Sequence, residues 1–350
     1  MVNLLELLPE ELDEQVVAWG LERFRGRQLS AWIWRRGVTS FEDMTDLPRA
    51  ARGLLAARAE VRVPPVLEKH MSADGQAVKY LLGLAADAIE CVLMRYRYGF
   101  SLCLSTQVGC RMGCRFCASG AAGRVRDLAA GEMAGQVLAV RRDVGAGIGR
   151  LVLMGIGEPL DNYTATVKFL RMATSPRGLG ISPRRITLST CGLVPRIYDL
   201  AGEGLPVTLA VSLHAPDDRL RDVLVPINRR YPLKELLAAC RAYAASTGRR
   251  VTFEYALAAG VNDGSEQARR LAHLVRGMAC HVNLIPLNIV EGKDFTPSGP
   301  RRVAAFRRIL EQEGVCVTVR RKLGASVNAA CGQLRRRFVT RQSQEREGNP

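Results

Sequence analysis

The sequence lacks any run of apolar residues approaching membrane-spanning length, which excludes a helical membrane anchor within it. Nor does a basic region followed by an apolar one stand at its start, Met1-Val2-Asn3-Leu4-Leu5-Glu6, so no secretory signal is read there and the expected location is cytoplasmic. Histidine is scarce, with four in 350 residues. Acidic residues are in deficit, 34 against 50 Lys plus Arg, for a net charge of +16. A surplus of this size attracts a polyanion, and nucleic acid is the commonest one. Arginine-biased codon usage would explain the Arg-to-Lys ratio but not the net charge.

Cysteine, in contrast, is abundant, with ten in the chain. In a cytosolic protein of this size that argues against a disulfide framework and for metal or redox chemistry. The length suffices to bury a substantial core in one large domain beside a small accessory one. Residues 1–60 read as helical, with apolar residues at three and four spacing in Leu12–Trp19 and Phe24–Trp34. Arg23, Arg25, Arg27, Arg35 and Arg36 interleave there with Trp32 and Trp34, which suits contact with a phosphate backbone or, equally, a solvated basic face over an aromatic core.

Ala77–Leu84 and Ala88–Tyr96 read as an antiparallel hairpin. From residue 100 short apolar strands alternate with helical patterns: Ser101–Thr106, Arg150–Met154, Arg185–Thr190, Val207–Leu213, Val251–Tyr255 and Val282–Leu287. Helices are read over Gly131–Arg142, Leu233–Ala245 and Glu266–Arg276, and a last strand over Cys316–Arg321. Six β–α repeats spell an α/β fold with a parallel sheet, open or curled toward a barrel. Polar groups recur at the C-terminal strand ends: Cys110–Cys117, Gly157-Glu158, Ser189-Thr190, Ser212 with His214, Glu254, and Asn288. Singly, each fits a helix cap or a buried hydrogen-bonding group; together they point to one mouth, where ligands of parallel α/β folds bind.

The stretch "CLSTQVGCRMGCRFCASG", residues 103–120, holds four cysteines spaced C-x6-C-x3-C-x2-C. C-x3-C-x2-C is poor zinc grammar, because structural zinc wants four ligands, usually as two close pairs. Only His70 precedes this stretch, and the next histidine, His214, lies far beyond it. Three thiolates suit a 4Fe–4S cluster with one iron left open. Cys110, Cys114 and Cys117 with Phe116 thus resemble the defining motif of the radical S-adenosylmethionine (SAM) superfamily. The resemblance implies a SAM molecule at the open iron and a 5′-deoxyadenosyl radical. "GIGEP" at 155–159 resembles the superfamily's glycine–glutamate element, which implies Gly157 and Glu158 at the methionine amino group. It also implies Ser189, Ser212, Leu213 and His214 on the ribose and carboxylate side and Asn288 at the adenine.

"NAACGQLRRR" at 328–337, with "CLSTQVGC", "MGIGEPLDN", "LAVSLHAPDDRLRDVLVPIN" and "VNLIPLNIVEG", resembles the RlmN-type radical methyltransferases of RNA adenine C2 over nearly the whole chain. The implied fold is a partial (β/α)6 barrel over 99–322, with a helical accessory domain at 1–65, a β-hairpin extension at 66–98 and a catalytic-cysteine segment with a basic tail at 323–350. Cys331 would take a methyl group from one SAM by nucleophilic attack. A radical from a second SAM would abstract hydrogen from that methyl, and the carbon radical would add to adenine C2. Cys103 would then attack the Cys331 sulfur and release the product as a disulfide forms. Glu90 matches the proposed acceptor of the C2 proton, against the reading of a surface strand carboxylate. Implied partners are 23S ribosomal RNA near the peptidyl-transferase centre, adenosine beside the anticodon of certain tRNAs, and a one-electron donor such as flavodoxin. No membrane enters, and the chain is expected to be a monomer.

Two departures are visible. Ser326 and Asn328 stand where acidic residues are usual before the Cys331 motif, and "GIGEP" replaces "GMGEP". Cys91, Cys191, Cys240, Cys280 and Cys316 match no motif and read as small buried hydrophobes. Three other functions compete: Cfr-type methylation of C8 of the same adenine, radical chemistry on a protein or metabolite, and a non-catalytic zinc and RNA-binding module. The Pro159 of GEP favours C2 over C8.

Overall fold

The computed structural model describes residues 1–120, 123–289 and 293–320, so the expectations placed on Cys331, Ser326, Asn328 and the 323–350 segment lie outside the described residues. A two-residue strand β1 (Val2–Asn3) precedes α1 (Pro9–Ala18), α2 (Phe24–Ser30) and α3 (Arg49–Arg58), and β2 (Ala59–Glu60) pairs back with β1 in parallel. Pro9 starts α1 where its missing N–H costs nothing, and the Glu11 carboxylate accepts the Leu8 N–H at 2.7 Å. The expected helix Phe24–Trp34 ends at Ser30 and widens into a π turn over Ala31–Arg35. Trp32 and Trp34 are buried, and the Trp32 indole donates to Asp46 at 2.6 Å. These tryptophans are core; of the five arginines only Arg25 is partly covered.

The module is fastened to the rest of the chain. Asp13 takes a two-pronged contact from Arg177 at 2.8 and 2.6 Å, and Arg141 donates to the Trp34 carbonyl at 2.8 Å. Leu12, Val16, Leu29 and Ile33 belong to the same apolar core as the central sheet.

That sheet holds β3 (Val66–Met71), β4 (Ala77–Gly83), β5 (Ala88–Tyr96) and β6 (Gly99–Cys103), then six further strands. Between them β7 (Gln107–Gly109) and β8 (Arg124–Asp127) form a separate antiparallel pair, followed by α4 (Ala130–Val144). The repeat continues with β9 (Ile148–Leu153), α5 (Tyr163–Thr174), β10 (Ile186–Thr190), α6 (Val194–Gly202), β11 (Thr208–Ser212), α7 (Asp218–Leu224), α8 (Leu233–Thr247) and β12 (Val251–Leu257). It closes with α9 (Ser265–Val275), β13 (Cys280–Pro286), α10 (Pro300–Gln312) and β14 (Val317–Val319). The order is β14-β13-β12-β11-β10-β9-β6-β5-β4-β3, parallel from β6 to β14 and antiparallel beyond β6. The fold is therefore an α/β fold built on an open, mostly parallel sheet, as the repeat predicted.

Three boundaries differ from expectation for tertiary reasons. Residues 66–96 continue the main sheet as three antiparallel strands, because β5 pairs along β6, with Val92 opposite Cys103. The first parallel strand ends at Cys103, and Gln107–Gly109 pairs with Arg124–Asp127, so the cysteine-rich loop is the tip of a hairpin. β14 covers only Val317–Val319. No helix among the described residues is long and apolar enough to cross a membrane.

Candidate active site

Strand register aligns one row of side chains on a single face of the sheet. Register places Lys79 beside Val92, Val92 beside Cys103, and Cys103 beside Val152. Alternation along β5 puts Glu90 on the same face as Val92. Lys79 and Glu90 are 2% and 4% exposed and approach to 3.1 Å. With Cys103, Gly155 and Ile156 they line one small cavity of about 10 Å³. Glu90 is thus no surface carboxylate, which removes that alternative reading. Lys79 was not anticipated; its only sequence signal is a charge inside the otherwise apolar AVKYLLG strand. Replacing Lys79 with Met deletes one charge of a buried pair and is expected to cost about 3–5 kcal/mol, read as a lowered denaturant midpoint.

The cysteine loop is closed at its base and anchored from outside. Cys110 N–H donates to Gly123 at 3.0 Å, and Arg115 N–H donates to the Leu224 carbonyl of α7 at 3.0 Å. The Phe116 ring meets His214 edge-on with centroids 4.5 Å apart. Burial pushes the Cys110 thiol up to about 12, with Glu158 and Cys117 adding to the effect. Burial likewise pushes Cys114 up, reinforced by Cys117 and Cys110. Thiols held protonated in this way at Cys110 and Cys114 need cationic iron to become thiolates. Ser119 Oγ and Thr106 Oγ1 are buried without hydrogen-bond partners among the described residues, as a polar guest at this mouth would require. The residues fit a 4Fe–4S cluster with SAM, although no three Cys, His, Asp or Glu side chains among the described residues converge tightly enough to hold a single metal ion.

The loop after β9 is threaded closely. Gly155 N–H donates to the Leu104 carbonyl at 2.9 Å, and Ile156 N–H donates to Ser105 Oγ at 2.9 Å. Gly157 has φ +109 and Glu158 N–H donates to Gln107 Oε1 at 2.9 Å. The Glu158 carboxylate points inward: Oε2 accepts Cys191 N–H at 2.7 Å and Oε1 accepts Leu160 N–H at 3.1 Å. Burial raises its pKa and these bonds lower it, with burial the larger effect. Glu158 therefore pins the loop after β9 to the loop after β10.

Ser189 and Ser212 are half-buried at the ends of β10 and β11, and Leu213 is buried. His214 is buried at φ +58, and its Nδ1 accepts the Ala256 N–H at 2.9 Å. Burial, then Arg221, pushes its pKa down to about 3, so the ring is neutral. Asn288 is exposed just beyond β13. Along β11 to β14 the register aligns Ser212, Glu254, Asn283 and Thr318, where Asn283 donates to Glu254 Oε2 at 2.8 Å and Thr318 donates to Asn283 Oδ1 at 3.2 Å. His281 contacts Thr318 at 2.8 Å and Cys316 Sγ at 3.2 Å. Cys91, Cys191 and Cys240 are buried as expected, whereas Cys280 is half-buried and Cys316 exposed, because β14 is an edge strand. A larger cavity of about 300 Å³ lies at the opposite strand ends, between Trp34, Arg141 and Ile148, away from these groups.

Residues 104–272 match the radical SAM superfamily model, and residues 2–61 match the ribosomal RNA large subunit methyltransferase N-terminal domain. A protein of Pelotomaculum thermopropionicum named "Probable dual-specificity RNA methyltransferase RlmN" is 54% identical over 97% of this chain and 92% of its own. A Desulforudis audaxviator protein of the same name is 54% identical over 91% of this chain and 100% of its own. A radical SAM methyltransferase from Sphaerobacter thermophilus, known by crystal structure, superposes with TM-score 0.91 and 45% identity over 95% of this chain and 99% of that one.

Proposed function

The chain belongs to the RlmN-type family of radical SAM RNA methyltransferases, and from that premise we propose that it methylates C2 of adenine in 23S ribosomal RNA and in the adenosine beside the anticodon of certain tRNAs. The observation that carries the chemical reading is the meeting of Cys103, Glu90 and Lys79 in one cavity beside the Gly155–Ile156 turn. When bound at Cys110, Cys114 and Cys117, a 4Fe–4S cluster supplies one-electron cleavage of SAM.

The chain's own residues divide the remaining work. Gly157 and the backbone after β9, with Ser189, Ser212, Leu213, His214 and Asn288, hold the SAM. His214 does so as a neutral ring, oriented by its bond from Ala256. Cys331 accepts a methyl group as its S–H proton leaves and the sulfonium C–S bond breaks. Once that carbon is joined to adenine C2, Glu90, held 3.1 Å from the Lys79 ammonium, takes the C2 proton, and the cluster oxidised by SAM cleavage would be the acceptor of the adduct's unpaired electron. Cys103 thiolate then attacks the Cys331 sulfur as the bond from that sulfur to the linking carbon breaks; the carbon takes a proton and becomes the methyl group, and the disulfide left behind is reduced by two electrons before the next turnover. A flavodoxin-class donor supplies the electron. The deficit of negative charge serves RNA by attracting its backbone, while C2 must be freed from its stack to be reached.

The test is nucleoside mass spectrometry of 23S RNA and tRNA after reaction with the anaerobically reconstituted protein. The expected product is 2-methyladenosine in both. 8-Methyladenosine as sole product would assign the chain to the C8 reaction, and an unmodified tRNA pool would restrict it to ribosomal RNA.

A further inference from the structure

Arg221 is fully buried, and its guanidinium meets no carboxylate within 4 Å among the described residues. Its donors go to carbonyls instead. Nε donates to Leu213 O at 3.2 Å, Nη2 to Cys191 O at 2.7 Å and to Ser212 O at 3.0 Å, and Nη1 to Asn228 Oδ1 at 2.8 Å. One side chain thereby ties the loop after β10 to the end of β11. A full positive charge placed in a dry interior against neutral dipoles is costly unless a negative partner completes it.

The missing partner is adjacent. Cys191 packs in one small apolar cluster with Met112, Cys114 and Phe116 of the cysteine loop. Leu224, on the same helix as Arg221, accepts the Arg115 N–H from the middle of that loop. The Asp218 and Asp222 carboxylates lie behind Asn228, which donates to both, whereas toward the cysteine loop Arg221 meets only the Cys191, Ser212 and Leu213 carbonyls. A 4Fe–4S cluster on three thiolates is net negative when oxidised and more so after it takes an electron.

We propose that Arg221 is the buried counter-charge of the cluster site, a positioning residue that also raises the cluster's reduction potential. The physical basis is that a fixed cation in a low-dielectric setting stabilises the more negative redox state. This rests on the radical SAM membership of the chain and not on the choice of C2 or of Glu90.

The experiment is an EPR-monitored dithionite titration of the reconstituted full-length protein, with iron content and thermal unfolding measured alongside. R221Q keeps hydrogen-bond donors and removes the charge. It is expected to lower the reduced-to-oxidised ratio at fixed potential at least tenfold, a midpoint shift of about 59 mV to the negative. R221K keeps the charge and is expected to stay within threefold of wild type despite its poorer bonding. Should R221Q fail to fold, R221M removes the charge together with its desolvation cost, leaves Asn228 on Asp218 and Asp222, and is expected to give the same negative shift. An unchanged midpoint at full iron content in R221Q or R221M would overturn the proposal. So would equal shifts in R221K and R221Q that follow their loss of thermal stability. Failure of every variant and the wild type to bind iron would overturn the cluster assignment itself.

Discussion

Replacing Cys103 with Ala is expected to turn a catalyst into a trap for RNA. The variant keeps the cluster ligands and the Lys79–Glu90 pair, so the bond between the Cys331 methyl carbon and adenine C2 still forms. It lacks the thiolate that must attack the Cys331 sulfur, so the covalent protein–RNA adduct accumulates and survives denaturing electrophoresis. Turnover is expected to fall on the order of 10³-fold, the scale of removing a group whose bond-making is obligatory. The wild type adds a second handle. Burial raises the Cys103 thiol above its ordinary value, opposed by Arg320 and the Met154 N–H. The reactive thiolate is therefore a minor species near neutrality, and its fraction rises about tenfold per pH unit until the thiol titrates. Adduct resolution in the wild type should accelerate with pH in step, followed by pulse-chase with labelled RNA. Clean turnover of C103A without adduct would remove Cys103 from the mechanism.

Gly157→Ala is expected to abolish productive SAM binding. The residue sits at φ +109, where a side chain is strained. Its added Cβ would lie 2.7 Å from the Gln107 backbone nitrogen and 2.8 Å from Thr106 Oγ1. Backbone strain and overpacking each contribute about 1–3 kcal/mol. The loop can relieve them only by giving up the Glu158–Gln107 bond and the Thr106 and Gln107 bonds to the Ile156 carbonyl. The expected result is a loss of SAM affinity of about 100-fold or more by calorimetry on the reconstituted protein. Gly53→Ala is the control: nothing lies within 4 Å of its added Cβ, in the middle of α3, so affinity should be unchanged and stability slightly increased. Equal affinity in the two variants would place SAM elsewhere.

The sequence by itself determined the parallel repeat and the identity of the metal-binding motif. Alternation of short apolar runs with helical periodicity is written locally, and so is the C-x3-C-x2-C spacing, because neighbouring thiols on one loop need no tertiary contact to be recognised. It could also suggest Cys103 and Glu90, through resemblance. It could not show that β5 lies along β6, the pairing that puts Glu90, Lys79 and Cys103 on one face. That depends on register between strands, which no local pattern carries.

Lys79 was illegible because a single lysine in an apolar strand has no spacing to mark it, and only burial against Glu90 gives it a function. Arg221 was illegible for the opposite reason. In DDRLRD it reads as one more solvent-facing charge, and only the packing of α7 beneath the cysteine loop turns it inward to the carbonyls of Cys191, Ser212 and Leu213. Glu158 was found by motif, but the direction of its carboxylate, toward Cys191 N–H, was decided by where the loop after β10 lies. Cys316 reads as buried in the sequence and is exposed in the fold, because it leads into the edge strand β14 and an edge position is a property of the sheet and not of its residues. The ligand types were local chemistry, legible at sight; the charges that hold and tune them come from strands and helices distant in sequence, and only folding brings them together.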